Sequence, residues 1–227
     1  MIGPEQLAAG ERAEAAGDYV AAAAAYKAVA ATNDELLAAE ANFRLGRVSW
    51  RQGKFAPALA AFDDARALAE RQGATELVAR AENGIGAVHY AKGEYAQARR
   101  AYAVATARTT DQSMKGKILL NLGVIDNIEG NLDLARAHYE QAFRLFEESG
   151  DTASATLALH NRGMVEADLR RWEDADASFL SALQLATDAG DNEMIAKTLV
   201  NRSEVLIARD ALAEALDHCD RALQIYA

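Results

Sequence analysis

The chain has 227 residues, of which 53 are alanine and only two, Pro4 and Pro57, are proline. Because alanine is the best helix former and proline the worst, this composition predicts an all-α protein, and an aromatic content of 7% argues against a β-sandwich or barrel. The net charge of −10 argues against a nucleic-acid binder and against docking on anionic lipid, and the single cysteine excludes an internal disulfide framework.

Targeting and membrane signals are missing from the sequence. No stretch approaches the roughly 20 consecutive apolar residues of a membrane span. Residues 1–5 contain neither the basic nor the apolar region of a secretory signal. We therefore expect a cytoplasmic protein that binds neither membrane nor nucleic acid.

A turn-like triplet recurs along the whole chain. Its copies are Gly17-Asp18-Tyr19, Gly53-Lys54-Phe55, Gly93-Glu94-Tyr95, Gly130-Asn131-Leu132 and the degenerate Arg170-Arg171-Trp172 and Asp210-Ala211-Leu212. The first residues of successive copies are 36, 40, 37, 40 and 40 residues apart. A fixed period of this size predicts a repeat protein. We expect a single domain, 1–227, made of six repeats: 4–34, 38–72, 76–109, 113–149, 153–189 and 193–227.

Each repeat has the same internal pattern around its triplet. Seven residues before the triplet stands a small residue: Gly10, Gly46, Gly86, Gly123, Gly163 or Ser203. Nine residues after it stands an aromatic residue or, in the last repeat, cysteine: Tyr26, Phe62, Tyr102, Tyr139, Phe179 or Cys219. This pattern predicts two antiparallel helices that approach closely at the small residue, with the aromatic ring filling the space beside them. We expect Cys219 to be a buried, inert thiol and the two triplets without glycine to form less regular turns.

The links between repeats carry helix stop and start signals. Gly73, Gly150 and Gly190 are placed to end second helices. Side chains that could cap the next helix follow at Thr75, Asp151 and Asp191, and the segments Asn33-Asp34 and Thr109-Thr110-Asp111 carry such signals in the other two links. These signals support helix pairs separated by short connections.

This pattern resembles the tetratricopeptide repeat over residues 4 to 226. Most of the repeats are longer than the usual length of about 34 residues, which is similar to the long repeats of kinesin light chains, Pins-type polarity adaptors and bacterial pheromone receptors. The resemblance implies a right-handed superhelical solenoid of about six antiparallel helix pairs. It also implies that the first helix of each pair lines a concave face that binds a protein or peptide.

One candidate binding surface is a basic and aromatic cluster in the second and third repeats. At positions that face the groove in the family stand Arg44, Arg47, Trp50, Arg51, Arg80, Asn83 and Tyr90. Basic side chains on one face of an acidic protein favour an acidic ligand segment. The alternative is that these arginines pair with glutamates of the same or the adjacent helix, such as Glu40 and Glu82.

The second candidate surface is a set of asparagines, Asn121, Asn161 and Asn201, spaced 40 residues apart at one repeat position. An asparagine amide both donates and accepts, which matches the N–H and C=O of a ligand main chain. The long-repeat relatives are similar in placing groove asparagines on bound peptide. Nearby groove positions hold Lys117, His160 and Met164, which would contribute specificity. The alternative is that each asparagine bonds a neighbouring helix of its own chain.

Catalytic and metal-binding patterns are missing from the sequence. His89, His138, His160 and His218 occupy different repeat positions and form no zinc-binding motif, and no phosphate loop or nucleophile motif occurs. The groove positions also fail to reproduce the lysine and asparagine pattern of the chaperone-tail clamp. We predict a non-enzymatic peptide-binding module without cofactor or metal. A peptide-sensing fragment of a larger regulatory protein and a self-associating scaffold are the alternatives.

The last predicted helix carries an apolar face that no later amphipathic helix covers. Its apolar residues are Leu212, Leu216, Leu223, Ile225 and Tyr226. Exposed apolar faces of this kind mark interfaces. Either the chain is cut from a longer protein or this face forms a homodimer.

Overall fold

The computed structural model describes residues 3–226, which form twelve α-helices and no β-strand. In chain order the helices are α1 (Pro4–Ala15), α2 (Tyr19–Ala30), α3 (Glu35–Arg51), α4 (Phe55–Arg71), α5 (Thr75–Ala91), α6 (Tyr95–Arg108), α7 (Gln112–Ile128), α8 (Leu132–Ser149), α9 (Thr152–Asp168), α10 (Trp172–Ala189), α11 (Asn192–Ala208) and α12 (Leu212–Tyr226). They form six pairs, so the predicted all-α fold is confirmed. None of these helices is both long and apolar enough to cross a membrane.

The chain divides into two compact units. The N-terminal unit ends at Thr110 and contains α1–α6, and the C-terminal unit begins at Asp111 and contains α7–α12. Within each unit the first helices of successive pairs contact each other, as α3 contacts α5 and α9 contacts α11, whereas among the described elements no two second helices do. The first helices of a unit therefore lie side by side, and we call the face they form the inner face of that unit. A single solenoid over residues 1–227 stays a prediction.

The turns inside the pairs are all of one kind. Gly17, Gly53, Gly93 and Gly130 have φ between 70° and 79°, the left-handed region that glycine enters freely. Arg170 and Asp210 occupy the same place with φ of 56° and 61°. The N–H of Arg171 donates to the Glu166 carbonyl at 2.8 Å, as the N–H of Asn131 does to Asp126. The expectation of less regular turns in the last two repeats is therefore wrong, because the hydrogen bonds hold these residues in a conformation that otherwise costs about 1–2 kcal/mol.

Most of the predicted helix caps are present. Side chains that accept a backbone N–H at a helix N-terminus belong to Asp34, Asp111, Asp151 and Asp191. Thr75 is not a cap, because Ala74 takes the N-cap position and the Thr75 hydroxyl donates to the Gly73 carbonyl. Gly73, Gly150 and Gly190 end second helices with positive φ, as the sequence predicts.

The core of each of the first five pairs is a buried aromatic ring packed against a glycine. Phe62 lies between two first helices, and a Cβ atom added to Gly46 of α3 or to Gly84 of α5 would stand 2.6 Å from a carbon of its ring. Five aromatic side chains of this class are buried: Tyr26, Phe62, Tyr102, Tyr139 and Phe179. Cys219, which takes the same place in the last pair, is only partly buried, so the expectation of a buried thiol is wrong. Within the described residues no helix follows α12, which leaves part of the Cys219 side chain exposed.

Candidate functional site

Three equivalent asparagines stand on the inner face of the C-terminal unit. Asn121 lies on α7, Asn161 on α9 and Asn201 on α11, and α9 contacts both of the other helices. All three side chains are partly buried. The structure thus places the three amides on adjacent parallel helices of one unit, and we call them the asparagine row.

The amides of the row differ in their partners. The Nδ2 atom of Asn201 lies 3.2 Å from Nε2 of His160 on the neighbouring helix. The side chains of Asn121 and Asn161 form no hydrogen bond with any residue in the described range 3–226. The alternative in which each asparagine bonds its own chain therefore holds at Asn201, while the other two amides keep their hydrogen-bonding groups for solvent or a ligand.

His160 is a buried residue that supports the asparagine row. Its ring is 6% exposed, and Nδ1 lies 2.9 Å from the Thr198 hydroxyl. The ring also packs edge-on against Phe179, with the two centroids 5.7 Å apart. Burial, together with the positive charge of Lys197, lowers the pKa of His160 to about 4. The ring is therefore neutral at pH 7, and a proton on Nδ1 lets it donate to Thr198 while Nε2 accepts from Asn201.

Exposed apolar side chains lie on α7, α9 and α11, the same helices that carry the asparagine row. The exposed fractions are 52% at Ile128, 38% at Met164, 41% at Val200 and 56% at Ile207. Among them only Met164 is a residue predicted from the sequence to contact the ligand. The other three were missed although the same groove positions, read in each repeat, select them. The inner face of this unit thus combines amides that can hold a main chain with apolar surface that can hold side chains.

Lys117 lies on the same face near the start of α7. Its ammonium is 3.4 Å from a carboxylate oxygen of Asp151, and its side chain is half exposed. The capping hydrogen bonds and Lys117 together hold the pKa of Asp151 below its usual value despite partial desolvation. Lys117 is thus a partly neutralised charge at the rim of the inner face.

The four arginines of the predicted basic cluster, Arg44, Arg47, Arg51 and Arg80, are all paired with carboxylates. Arg44 bonds Glu11 and Glu40, each at 2.8 Å, and Arg80 bonds both oxygens of Glu40 at 2.9 and 3.1 Å. The Oε1 atom of Glu14 lies 3.0 Å from a guanidinium nitrogen of Arg47 and 3.8 Å from one of Arg51. The guanidinium of Arg80 also covers the Phe43 ring, 4.1 Å from its centroid. The pairing with Glu40 follows the second of the two alternatives, whereas Glu82 pairs with Arg66 instead.

The remaining members of the N-terminal cluster have separate environments. Trp50 is exposed near the end of α3, and Tyr90 is partly buried, with its ring centroid 6.2 Å from that of Tyr95. Burial raises the pKa of Tyr90, so its hydroxyl stays protonated at neutral pH. The Oδ1 atom of Asn83 is buried without a hydrogen-bond partner among the described residues. The cluster therefore does not form one continuous cationic surface.

Net charge is divided very unequally between the units. Residues 1–110 contain 13 acidic and 13 basic side chains, whereas residues 111–227 contain 21 acidic and 11 basic ones. The whole net charge of −10 thus belongs to the C-terminal half of the sequence. Within residues 3–226, no group of three or more His, Cys, Asp or Glu side chains is arranged to hold a metal ion.

The sequence profile of the tetratricopeptide repeat matches residues 37–111, 116–187 and 154–227. The regulatory protein AfsR of Streptomyces coelicolor is 28% identical over 136 residues, which are 59% of this chain and 14% of AfsR. The chain therefore spans about one seventh of the length of this curated relative.

Solved structures share the fold at low sequence identity. A Rap protein complexed with competence and sporulation factor superposes with a TM-score of 0.73 at 16% identity, over 97% of this chain and 72% of that one. YrrB, described as a TPR protein with an unusual peptide-binding site, superposes with a TM-score of 0.62 at 22% identity, over 89% of this chain and 93% of that one. At these identities the likeness concerns the fold alone.

Proposed function

The chain belongs to the tetratricopeptide repeat family, and on that premise we propose that it is a non-enzymatic interaction module whose C-terminal unit holds an extended peptide on its inner face. The observation that carries this proposal is the asparagine row, in which Asn121 and Asn161 have no partner among the described residues. The binding of a peptide by YrrB and of a factor by the Rap protein supports it at the level of the fold.

The spacing of the row suits an extended main chain. Packed helices stand 8–10 Å apart, so equivalent residues of α7, α9 and α11 are separated by about 10 Å. An extended peptide advances about 3.3 Å per residue. Each amide of the row would therefore meet the ligand main chain about every third residue, and the contacts would not depend on the ligand's sequence.

Selectivity would come from the side chains beside the row. Met164, Val200 and Ile207 are exposed on α9 and α11. Apolar ligand side chains placed between two amide contacts would bury this surface and gain roughly 25 cal/mol per Å² of apolar area. We expect a ligand with apolar residues at the positions between the main-chain contacts.

The test is Asn161→Ala, measured against a peptide selected by display on the intact chain. Losing a main-chain contact of this kind should weaken binding by about 1–3 kcal/mol, while the melting temperature stays nearly unchanged because the free amide bonds no described residue. Asn131→Ala, which removes an exposed amide of a turn, is the matched control and should leave affinity unchanged. A lowered melting temperature with unaltered affinity would show that Asn161 serves the fold alone.

An acidic segment in the ligand is a further part of the proposal, and it concerns the N-terminal unit. The side chains of Arg47 and Arg51 are about two-fifths exposed, and both pair with the single carboxylate of Glu14. Their guanidinium groups could therefore also bind a carboxylate of an acidic ligand from the solvent side. Attraction of this kind is screened by salt. Repeating the peptide titration at rising ionic strength separates the two parts of the proposal, because contacts to the asparagine row depend little on salt.

A peptide-sensing role within a longer regulatory protein is a second candidate function. The similarity to AfsR favours it, because AfsR is a regulatory protein and the matching region is a small part of its length. Peptide binding to the inner face would then change how the rest of such a protein behaves. The same peptide titration, performed on the full-length gene product with its regulatory output as the readout, separates this role from simple scaffolding.

Self-association through α12 is the third candidate. Leu212, Leu216, Leu223 and Tyr226 are each more than half exposed and follow one face of the helix at intervals of four, seven and three residues. Two copies pairing these faces would bury them in a symmetric interface. We expect light scattering to report a dimer at high concentration and Leu216→Glu to return it to a monomer. A wild-type protein that stays monomeric would contradict the dimer.

A further inference from the structure

The N-terminal unit has a cleft on the side opposite its inner face. It opens between the second helices α2 and α4, which do not contact each other, and α3 forms its floor. Its volume is about 320 Å³. Its lining includes the polar and charged side chains of Lys27, Asn42, Ser49, Lys54 and Asp64.

The floor of the cleft carries two buried polar side chains without partners. Asn42 is 9% exposed and Ser49 is 6% exposed. Neither side chain forms a hydrogen bond with any residue from 3 to 226. Their polar atoms are not sealed in the core, since both side chains line the cleft and open onto it. An amide and a hydroxyl on the floor are therefore available to hydrogen-bond a polar ligand above them.

The rim of the cleft is cationic. Lys27 on α2 and Lys54 before α4 are exposed, and their ammonium groups form no ion pair within the described part of the chain. Lys54 is also the N-cap of α4, and no side chain caps that helix N-terminus. Free ammonium groups and an uncapped helix N-terminus both favour negative charge in the ligand. This differs from the inner face, where Arg44, Arg47 and Arg80 are already paired with glutamates.

The walls of the cleft are apolar. Leu45 and Pro57 stand beside the alanines Ala23, Ala60 and Ala61. Apolar walls around a few convergent polar groups are the usual composition of a small-molecule site. The carboxylate of Asp64 also lines the cleft and offsets one of the two lysine charges, so the lining keeps one net positive charge and suits one anionic group rather than two.

We propose that this cleft binds a small organic anion, with one carboxylate or phosphate group held by Lys27, Lys54 and Asn42 and an apolar body between α2 and α4. The site shares no residue with the asparagine row, because the cleft belongs to the N-terminal unit and the row to the C-terminal unit.

The first experiment compares four probes by isothermal titration calorimetry on the full chain: phenyl phosphate, benzoate, phenol and inorganic phosphate. At least one of the two aromatic anions should bind saturably at millimolar concentration, and the tighter of them identifies the anionic group. Phenol lacks the charge and inorganic phosphate lacks the body, so each should bind about tenfold more weakly or not at all. Absence of saturable binding by both aromatic anions would overturn the proposal.

Variants of the rim and floor give the second readout. Lys27→Gln and Lys54→Gln should each weaken binding of the better aromatic anion about tenfold, since each removes a charge-assisted hydrogen bond. Lys115→Gln on α7 removes the same charge elsewhere and should leave affinity unchanged. Asn42→Ala should abolish binding while the melting temperature stays the same or rises, because an unpartnered buried amide does not stabilise the fold. Unchanged affinity in both lysine variants, or a lowered melting temperature with intact affinity in Asn42→Ala, would show that the proposal is wrong.

Discussion

Replacing Gly46 with alanine should lower the free energy of unfolding by about 1–3 kcal/mol, the range that overpacking of a closed core costs. The added Cβ would stand 2.6 Å from Cδ1 of Phe62, well inside van der Waals contact. The ring has little room to move away, because Phe62 is 2% exposed and a Cβ atom added to Gly84 of the next first helix would also stand 2.6 Å from Cε1 and Cζ of this ring. Denaturant unfolding followed by circular dichroism measures the effect.

A second substitution tests the reason for this loss. Gly46→Ala combined with Phe62→Leu should be more stable than the sum of the two single effects predicts, because the smaller side chain leaves space for the new methyl group. Gly53→Ala is the matched control, since its added Cβ meets no atom within 4 Å and its cost comes only from a φ of 70°. The last helix pair already combines a larger residue at the glycine position with a smaller one at the ring position, namely Ser203 and Cys219. A Gly46→Ala variant as stable as wild type would contradict the close packing.

Acidification from pH 7 to pH 4 should destabilise the protein through His160 by about 3 kcal/mol, from about 1.4 kcal/mol for each pH unit between two pKa values. In the unfolded chain this histidine has its usual pKa of 6.5, whereas burial lowers the pKa to about 4 in the folded protein. Between these values the unfolded state binds a proton that the folded state does not, so stability falls as pH decreases from about 6.5. Below about pH 4 both states are protonated and this contribution no longer changes.

The contribution is measured as a difference between wild type and His160→Gln. Glutamine keeps an amide near Thr198 and Asn201 but has no proton to bind in this range, so its unfolding free energy should depend less steeply on pH. Other groups, such as His218, whose pKa is also lowered by burial, affect both proteins equally and cancel in the difference. Parallel pH profiles for the two proteins would contradict the assignment to His160.

The helix pairs could be predicted from the sequence because their signals are local and periodic. A glycine that ends a helix, an aspartate that caps one and a ring that needs a glycine opposite it recur at fixed spacing, and Gly46 with Phe62 is found by counting residues. Repetition also reveals the asparagine row, since the same position contains asparagine in three successive repeats.

Pairings between helices were harder to predict because periodicity does not determine where a long side chain points. Arg47 stood at a groove position, yet its guanidinium bonds Glu14, 33 residues earlier on another helix. His160 also stood at a groove position, yet its ring is buried behind Asn201. The cleft over Asn42 was missed for a related reason: it exists because α2 and α4 stand apart, which a one-dimensional pattern does not show.

The contact between His160 and Asn201 determines which hydrogen-bonding groups the asparagine row could offer to a peptide main chain. A freely rotating amide can exchange its oxygen and nitrogen, so three free amides would accept a main chain in either N-to-C orientation. His160 fixes Nδ2 of Asn201 and thereby directs Oδ1 to one side, while Asn121 and Asn161 remain free to turn. In the proposed complex, Asn201 would therefore accept a main-chain N–H of the ligand, whereas Asn121 and Asn161 could pair with either an N–H or a C=O.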